Sequence, residues 1–188
     1  MLGQFNLFEA LGAVHVEVRH SDFLSFLLTP SESHGLDDIF VKRLLQKALL
    51  MSSGQALPIS LIDLDTWDLD ELVVWREWQN IDILLLDHRN QLAVIIENKV
   101  HSTEHSQQLQ RYWQIISQHY SMWRIVGLFL SPEGDPPSDD NYIPISYSSI
   151  CEILENLSKT RASALNSDVR VALNHYTQML RRHIMSEF

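Results

Sequence analysis

The stretch NIDILLLDHRNQLAVIIENKV, residues 80–100, dominates the fold prediction for this chain. Two runs rich in Ile, Leu and Val flank the polar break HRN, which predicts two strands joined by a hairpin turn. A turn centred on Arg89 and Asn90 sets Asp82 directly opposite Glu97, with Cβ atoms about 4.5–5.5 Å apart. A register shift of one residue would move Asp82 to the other face of the sheet, so the prediction depends on that turn.

The two facing acids suggest a metal site. Bare carboxylates at Asp82 and Glu97 would repel each other across the strands. A divalent cation between them removes the repulsion, and hard oxygen ligands favour Mg²⁺, with Mn²⁺ as a substitute. Lys99 lies on the same strand face as Glu97 and can stabilise a developing negative charge. This set suits phosphodiester hydrolysis by a metal-activated water. The residues alone fit equally well a charged strand edge that binds no metal.

Apolar periodicity and helix-breaking residues predict the other elements along the chain. Helices are expected at residues 4–18, 21–30 (Ser21 as N-cap, Pro30 as stop), 36–54, 102–120 (Ser102 or Thr103 as N-cap), 148–158 and 167–185. Strand composition is found at residues 59–67, 71–78, 122–131 and 142–147.

This order of elements predicts an α/β fold with a mixed central sheet flanked by helices. One domain is expected over residues 1–188, a size that supports a real core. Its parts would be N-terminal helices at 4–52, a sheet and catalytic core at 58–147, and C-terminal helices at 148–186.

Composition narrows the class of protein. The chain has 45% hydrophobic and 20% charged residues, which is ordinary for a soluble globular protein. No apolar run is long enough for a membrane span, and the N-terminal stretch lacks the features of a signal peptide, so a cytoplasmic location is expected. The single cysteine, Cys151, excludes an internal disulfide. A net charge of −10 argues against strong unspecific DNA binding.

Five short motifs together resemble the PD-(D/E)XK nuclease superfamily, most closely a bacterial and largely uncharacterised branch. They are the E-x-x-H-S of residues 17–21, the Leu-rich helix FLSFLLTP, His34-Gly35, the ID…ENK of residues 81–99, and EHSQQLQRY after it. One departure is Ile81, which stands where the superfamily's name has Pro.

The resemblance implies a restriction-endonuclease-like core and a Mg²⁺-dependent deoxyribonuclease, with bacterial defence or mobile-element biology as its setting. It implies Asp82, Glu97 and Glu17 as metal ligands, Lys99 as the catalytic lysine, and Gln108 as a polar helix residue at the site. From the residues alone, Glu17 would be a solvated acid and Gln108 a surface glutamine.

Two function classes remain open from the sequence. One is a metal-dependent nuclease that acts on DNA; a weaker variant of it is an RNase or a toxin-like effector, which shares the chemistry and differs only in substrate. The acidic charge suggests that a protein partner or a homodimer contributes to DNA binding. The alternative is a non-catalytic module of the same fold that binds nucleic acid or protein, or a nuclease subunit that a partner activates. His20 and His34 fit the family pattern, and a structural role is favoured for both.

Overall fold

The structure is a computed structural model, and it describes residues 4–52, 54–100 and 107–185. The described residues form seven helices: α1 Leu7–Ala10, α2 Glu17–Leu28, α3 Ile39–Met51, α4 Leu61–Thr66, α5 Gln108–His119, α6 Tyr147–Thr160 and α7 Ser167–His183. They form five strands: β1 Val73–Trp78, β2 Ile81–Asp87, β3 Leu92–Asn98, β4 Arg124–Ser131 and β5 Tyr142–Ser146.

The strands form one mixed sheet in the order β1-β2-β3-β4-β5. The pairs β1–β2 and β2–β3 are antiparallel, whereas β3–β4 and β4–β5 are parallel. Antiparallel neighbours need only a short turn, while β3 reaches β4 through a crossover that contains α5. The predicted α/β fold with a mixed central sheet is therefore confirmed.

The hairpin register is the one predicted. Ile83 pairs with Ile96 and Asp87 pairs with Leu92, so residues 88–91 form the turn. In this register Asp82 lies across from Glu97. Every residue of β3 is buried, because helices cover both faces of the sheet at this point.

The two faces have separate cores. The larger core packs α2, α3 and α6 against one face, through side chains such as Ile83 and Ile96, and α7 packs on α6. The smaller core packs α5 against the other face, through Ile95 and Tyr112 among others. Side chains alternate along β3, so neighbouring residues of this strand serve different cores.

Of three local predictions near the N-terminus, two are wrong and one is confirmed. Residues 4–18 do not form one helix, because α1 ends at Ala10 and Gly12 adopts a left-handed φ of 65°. Ser21 is not an N-cap: α2 begins at Glu17 after Val16, which makes no side-chain cap. The stop before Pro30 is confirmed, since α2 ends at Leu28.

The expected strand at residues 59–67 is instead helix α4. Ser60 Oγ accepts a hydrogen bond from the Asp63 amide, and Asp63 Oδ2 accepts one from the Ser60 amide, which together form a capping box. The predicted cap of α5 at Ser102 or Thr103 lies outside the described residues. No helix among the described residues is long and apolar enough to cross a membrane.

Candidate active site

The candidate site lies where β2 begins and β3 ends, because antiparallel pairing brings these two strand ends to one edge. Asp82, on β2, contributes a carboxylate whose Oδ2 accepts a hydrogen bond of 2.8 Å from the backbone N–H of Asn98. Burial raises the pKa of Asp82, although that amide hydrogen bond acts to lower it. The structure therefore holds the Asp82 carboxylate against the end of β3.

Glu97 is the most buried charge of the site, with no exposed surface. Its Oε1 accepts hydrogen bonds from Lys99 Nζ and from Gln108 Nε2, each 2.7 Å long. Its Oε2 is buried and has no hydrogen-bond partner among the described residues. Burial, and next the charge of Asp82, raise the pKa of Glu97 to about 8. A buried oxygen without a partner is unfavourable in the metal-free protein, and a cation would satisfy it.

Lys99 is half-buried and carries the charge that opposes the acids. Burial alone would lower the pKa of Lys99, but the hydrogen bond to Glu97 and the charges of Glu97 and Asp82 raise it overall. The ammonium is therefore charged at neutral pH. It has three N–H donors, so it can hold Glu97 and still donate to an anionic substrate oxygen.

Glu17 reaches the same strand end from helix α2. It is the first residue of that helix, and its Oε1 accepts a hydrogen bond of 2.9 Å from the Val100 amide. The structure thus brings Glu17 to the end of β3, where Asp82 and Glu97 also lie. The surface role expected for Glu17 from its local sequence does not describe this position.

The three acids do not form a closed cage. Within the described part of the chain, the only group of three ligand atoms all within 4.8 Å of one another belongs to Asp38, Asp68 and Asp70. Glu17, Asp82 and Glu97 therefore do not place three carboxylate oxygens, one from each residue, within 4.8 Å of one another. The donors are nevertheless all carboxylate oxygens, and the buried Glu97 Oε2 lacks a partner among the described residues, so the set fits a hard divalent cation.

Gln108 and Tyr112 support Glu97 from α5. Gln108 Nε2 also donates to Tyr112 Oη over 2.9 Å, and Tyr112 Oη donates to the Asn80 carbonyl over 2.5 Å. The carboxylate of Glu97 fixes the orientation of the Gln108 amide, because only the NH₂ end can donate to it. Gln108 thus contacts Glu97 directly, and Tyr112 links Gln108 to the turn before β2.

Two residues near the site escaped prediction from sequence. Asn98 lies between Glu97 and Lys99 but faces the larger core, where its amide contacts α2 and α6. Arg76 of β1 donates to the Asp82 carbonyl, and its Nη2 donates to the Val18 carbonyl over 3.3 Å. The signal for Asn98 is strand alternation. For Arg76 it is the one cation of β1, whose sequence is VVWREW.

His20 and His34, the two histidines of the family motifs, make structural contacts. His20 Nε2 lies 2.9 Å from the Val14 carbonyl, in the turn that leads into α2. His34 Nδ1 accepts from the Leu36 amide, so its Nε2 carries the proton that is donated to the Thr29 carbonyl. Burial lowers the pKa of His34, which keeps the imidazole neutral in this loop.

The acidic cluster of Asp38, Asp68 and Asp70 lies away from the site. Asp68 pairs with Arg89 in the hairpin turn, at the opposite end of β2 from Asp82. At about 3.3 Å per strand residue, the two ends are about 20 Å apart. Asp38 is already neutralised by Lys42 at 2.7 Å. The cluster is thus a second group of acids able to hold a cation, separate from the predicted site.

Comparison with known proteins adds one finding. A family model of the PD-(D/E)XK nuclease superfamily matches residues 5–178. No curated protein and no solved structure matches the chain significantly.

Proposed function

Because the chain belongs to the PD-(D/E)XK nuclease superfamily, we propose that it is a divalent-metal-dependent nuclease that hydrolyses phosphodiester bonds, with DNA as its substrate and Mg²⁺ as its natural cation. The observation that carries the proposal is Glu97 Oε2, a buried carboxylate oxygen without a hydrogen-bond partner in the described chain, on the strand that also bears Lys99. Mn²⁺ is expected to substitute for Mg²⁺.

In this proposal Glu17, Asp82 and Glu97 hold the cation through their carboxylate oxygens. When bound, the cation supplies an activated water and polarises a phosphoryl oxygen. Lys99 donates to the phosphate oxygen on which negative charge develops, from a largely water-excluded position where such a contact is strong. Gln108 keeps Glu97 oriented by donating to its Oε1.

The charge of the chain bears on how it would bind nucleic acid. With a net charge of −10, the protein offers little general attraction to phosphates. We expect the affinity for DNA to depend on a protein partner or a second copy of the chain. Salt dependence of DNA binding, measured alone and with a partner, would report how many phosphates each contacts.

The test combines calorimetric titration with Mn²⁺ and cleavage of plasmid, linear, single-stranded and RNA substrates in Mg²⁺. Asp82→Ala and Glu97→Ala should lose both Mn²⁺ binding and cleavage. Lys99→Ala should keep most of the Mn²⁺ binding but lose at least about 100-fold in cleavage. Asp65→Ala removes an exposed acid of α4 that belongs to neither acidic group and serves as the matched control, with wild-type behaviour expected.

The alternative is a non-catalytic module with the same fold, or a subunit that a partner activates. Absence of Mn²⁺ binding in the wild type, or equal binding in Glu97→Ala, would favour the non-catalytic module. Unchanged cleavage in all three alanine variants would end the proposed mechanism. Cleavage of RNA alone would keep the chemistry and correct the substrate.

A further inference from the structure

Asn98 occupies the middle of the ENK motif, yet it faces away from the site. Strand alternation directs Glu97 and Lys99 to the α5 side and Asn98 to the larger core. Its side chain is fully buried. A buried amide is costly unless each end finds a partner, so its contacts identify what the position does.

The Asn98 amide joins three elements. Its Nδ2 donates to Ser21 Oγ over 3.0 Å and to the Glu17 carbonyl over 3.4 Å, both in the first turns of α2. Its Oδ1 accepts a hydrogen bond of 2.7 Å from Tyr147 Oη, at the start of α6. The Tyr147 hydroxyl therefore fixes which end of the amide faces α2.

The first turn of α2 depends on outside contacts of this kind. Its N-cap residue, Val16, has no side chain that could cap the helix. Glu17 and Ser21 are four residues apart, so they share one helix face. Asn98 holds that face through the Glu17 carbonyl and Ser21, and the Val100 amide holds the Glu17 carboxylate.

We propose that Asn98, oriented by Tyr147, is a positioning residue that docks the first turn of α2 so that the Glu17 carboxylate reaches the end of β3. The role of Glu17 as a metal ligand rests on the proposed function. The docking itself does not, because the hydrogen bond between Glu17 and Val100 can be observed without metal.

Amide exchange at Val100 tests the docking directly in the metal-free protein. Tyr147→Phe removes only the hydroxyl and should speed exchange at Val100 about tenfold relative to Ile95 within β3. Glu17→Ala should have the same effect. Thr177→Val is the matched control, because the Thr177 hydroxyl is also buried but bonds only carbonyls of its own helix. Exchange at Val100 that stays unchanged in Tyr147→Phe overturns the inference.

Ser21→Ala gives a second route if Tyr147→Phe does not fold. It removes the closer of the two acceptors of Asn98 Nδ2 and leaves the Glu17 carbonyl and Tyr147 in place. The same selective rise in Val100 exchange is expected. A rise that is uniform over all amides would mean that the contact supports only global stability, which would contradict a positioning role.

A double-mutant cycle on Mn²⁺ affinity tests whether the network acts through Glu17. Tyr147→Phe should weaken Mn²⁺ binding about fivefold to tenfold in the wild-type background, but should have no further effect when Glu17 is already alanine. Losses that multiply in the double variant would overturn the inference. If the wild type itself binds no Mn²⁺, the proposed function fails, and exchange at Val100 still decides whether Asn98 docks α2.

Discussion

Replacing Glu97 by glutamine is expected to make the metal-free protein more stable while removing its metal binding. Glutamine keeps an oxygen that can accept from Lys99 and Gln108, as Glu97 Oε1 does. It replaces Oε2, which lacks a hydrogen-bond partner in the described part of the chain, by an uncharged NH₂ group, so the variant resembles the protonated form of Glu97. The wild-type protein reaches that form only by taking up a proton.

The size of the gain follows from the pKa of Glu97. This pKa is about 8 in the folded protein and 4.5 for an unperturbed glutamate, so between these values the folded state binds a proton that the unfolded state has lost. The free energy of unfolding therefore falls as the pH rises through this window, by about 1.4 kcal/mol per unit. From the unfolded pKa to pH 7 the loss is about 3 kcal/mol. Lys99 loses a charged partner in Glu97→Gln, so the expected gain is about 1–3 kcal/mol, or about 2–12 °C in Tm.

Thermal unfolding followed by circular dichroism in the presence of a chelator measures this gain. The difference between Glu97→Gln and wild type should be small near pH 5 and largest near pH 8. Added Mn²⁺ should raise the Tm of the wild type but not that of Glu97→Gln. Asp68→Asn removes an exposed carboxylate and should show no such gain. A Glu97→Gln protein less stable than wild type at pH 8, or a difference that does not change with pH, would refute the reasoning.

Two further predictions concern buried groups. Burial raises the pKa of the Cys151 thiol to about 12. The native protein should therefore resist a thiol-specific disulfide reagent, whereas one thiol per chain should react in urea. Rapid reaction of the folded protein would contradict this burial. Tyr112→Phe should lower the free energy of unfolding by about 1–3 kcal/mol in urea titration, because it removes the donor to the Asn80 carbonyl and one of the two acceptors of Gln108 Nε2, which keeps its bond to Glu97. A loss well below that range would mean that water replaces the hydroxyl.

The central hairpin was predictable because its signals are local. Two apolar runs and a short polar break fix the register, and the register alone brings Asp82 opposite Glu97. Glu17 and Gln108 came from the resemblance to the superfamily, since no local pattern links them to the strands. The structure brings both to the same strand end as Glu97.

The errors have physical causes that composition hides. Residues 59–67 contain the Ile, Leu and Trp of a strand, but the reciprocal caps of Ser60 and Asp63 stabilise a helix start there. Asn98 and Tyr147 are 49 positions apart, so no sequence window contains their contact. The sequence indicates only that strand alternation places Asn98 on the opposite face from its two charged neighbours.

The separation of the two hairpin ends makes the protein convenient to engineer. The turn at residues 88–91 and the acids at the other end share one rigid pair of strands but no side-chain contact among the described residues. A peptide tag or a fluorescent reporter inserted between Arg89 and Asn90 would therefore lie about 20 Å from the carboxylates of Asp82 and Glu97. The hairpin thus defines a fixed separation between an insertion point and the candidate site.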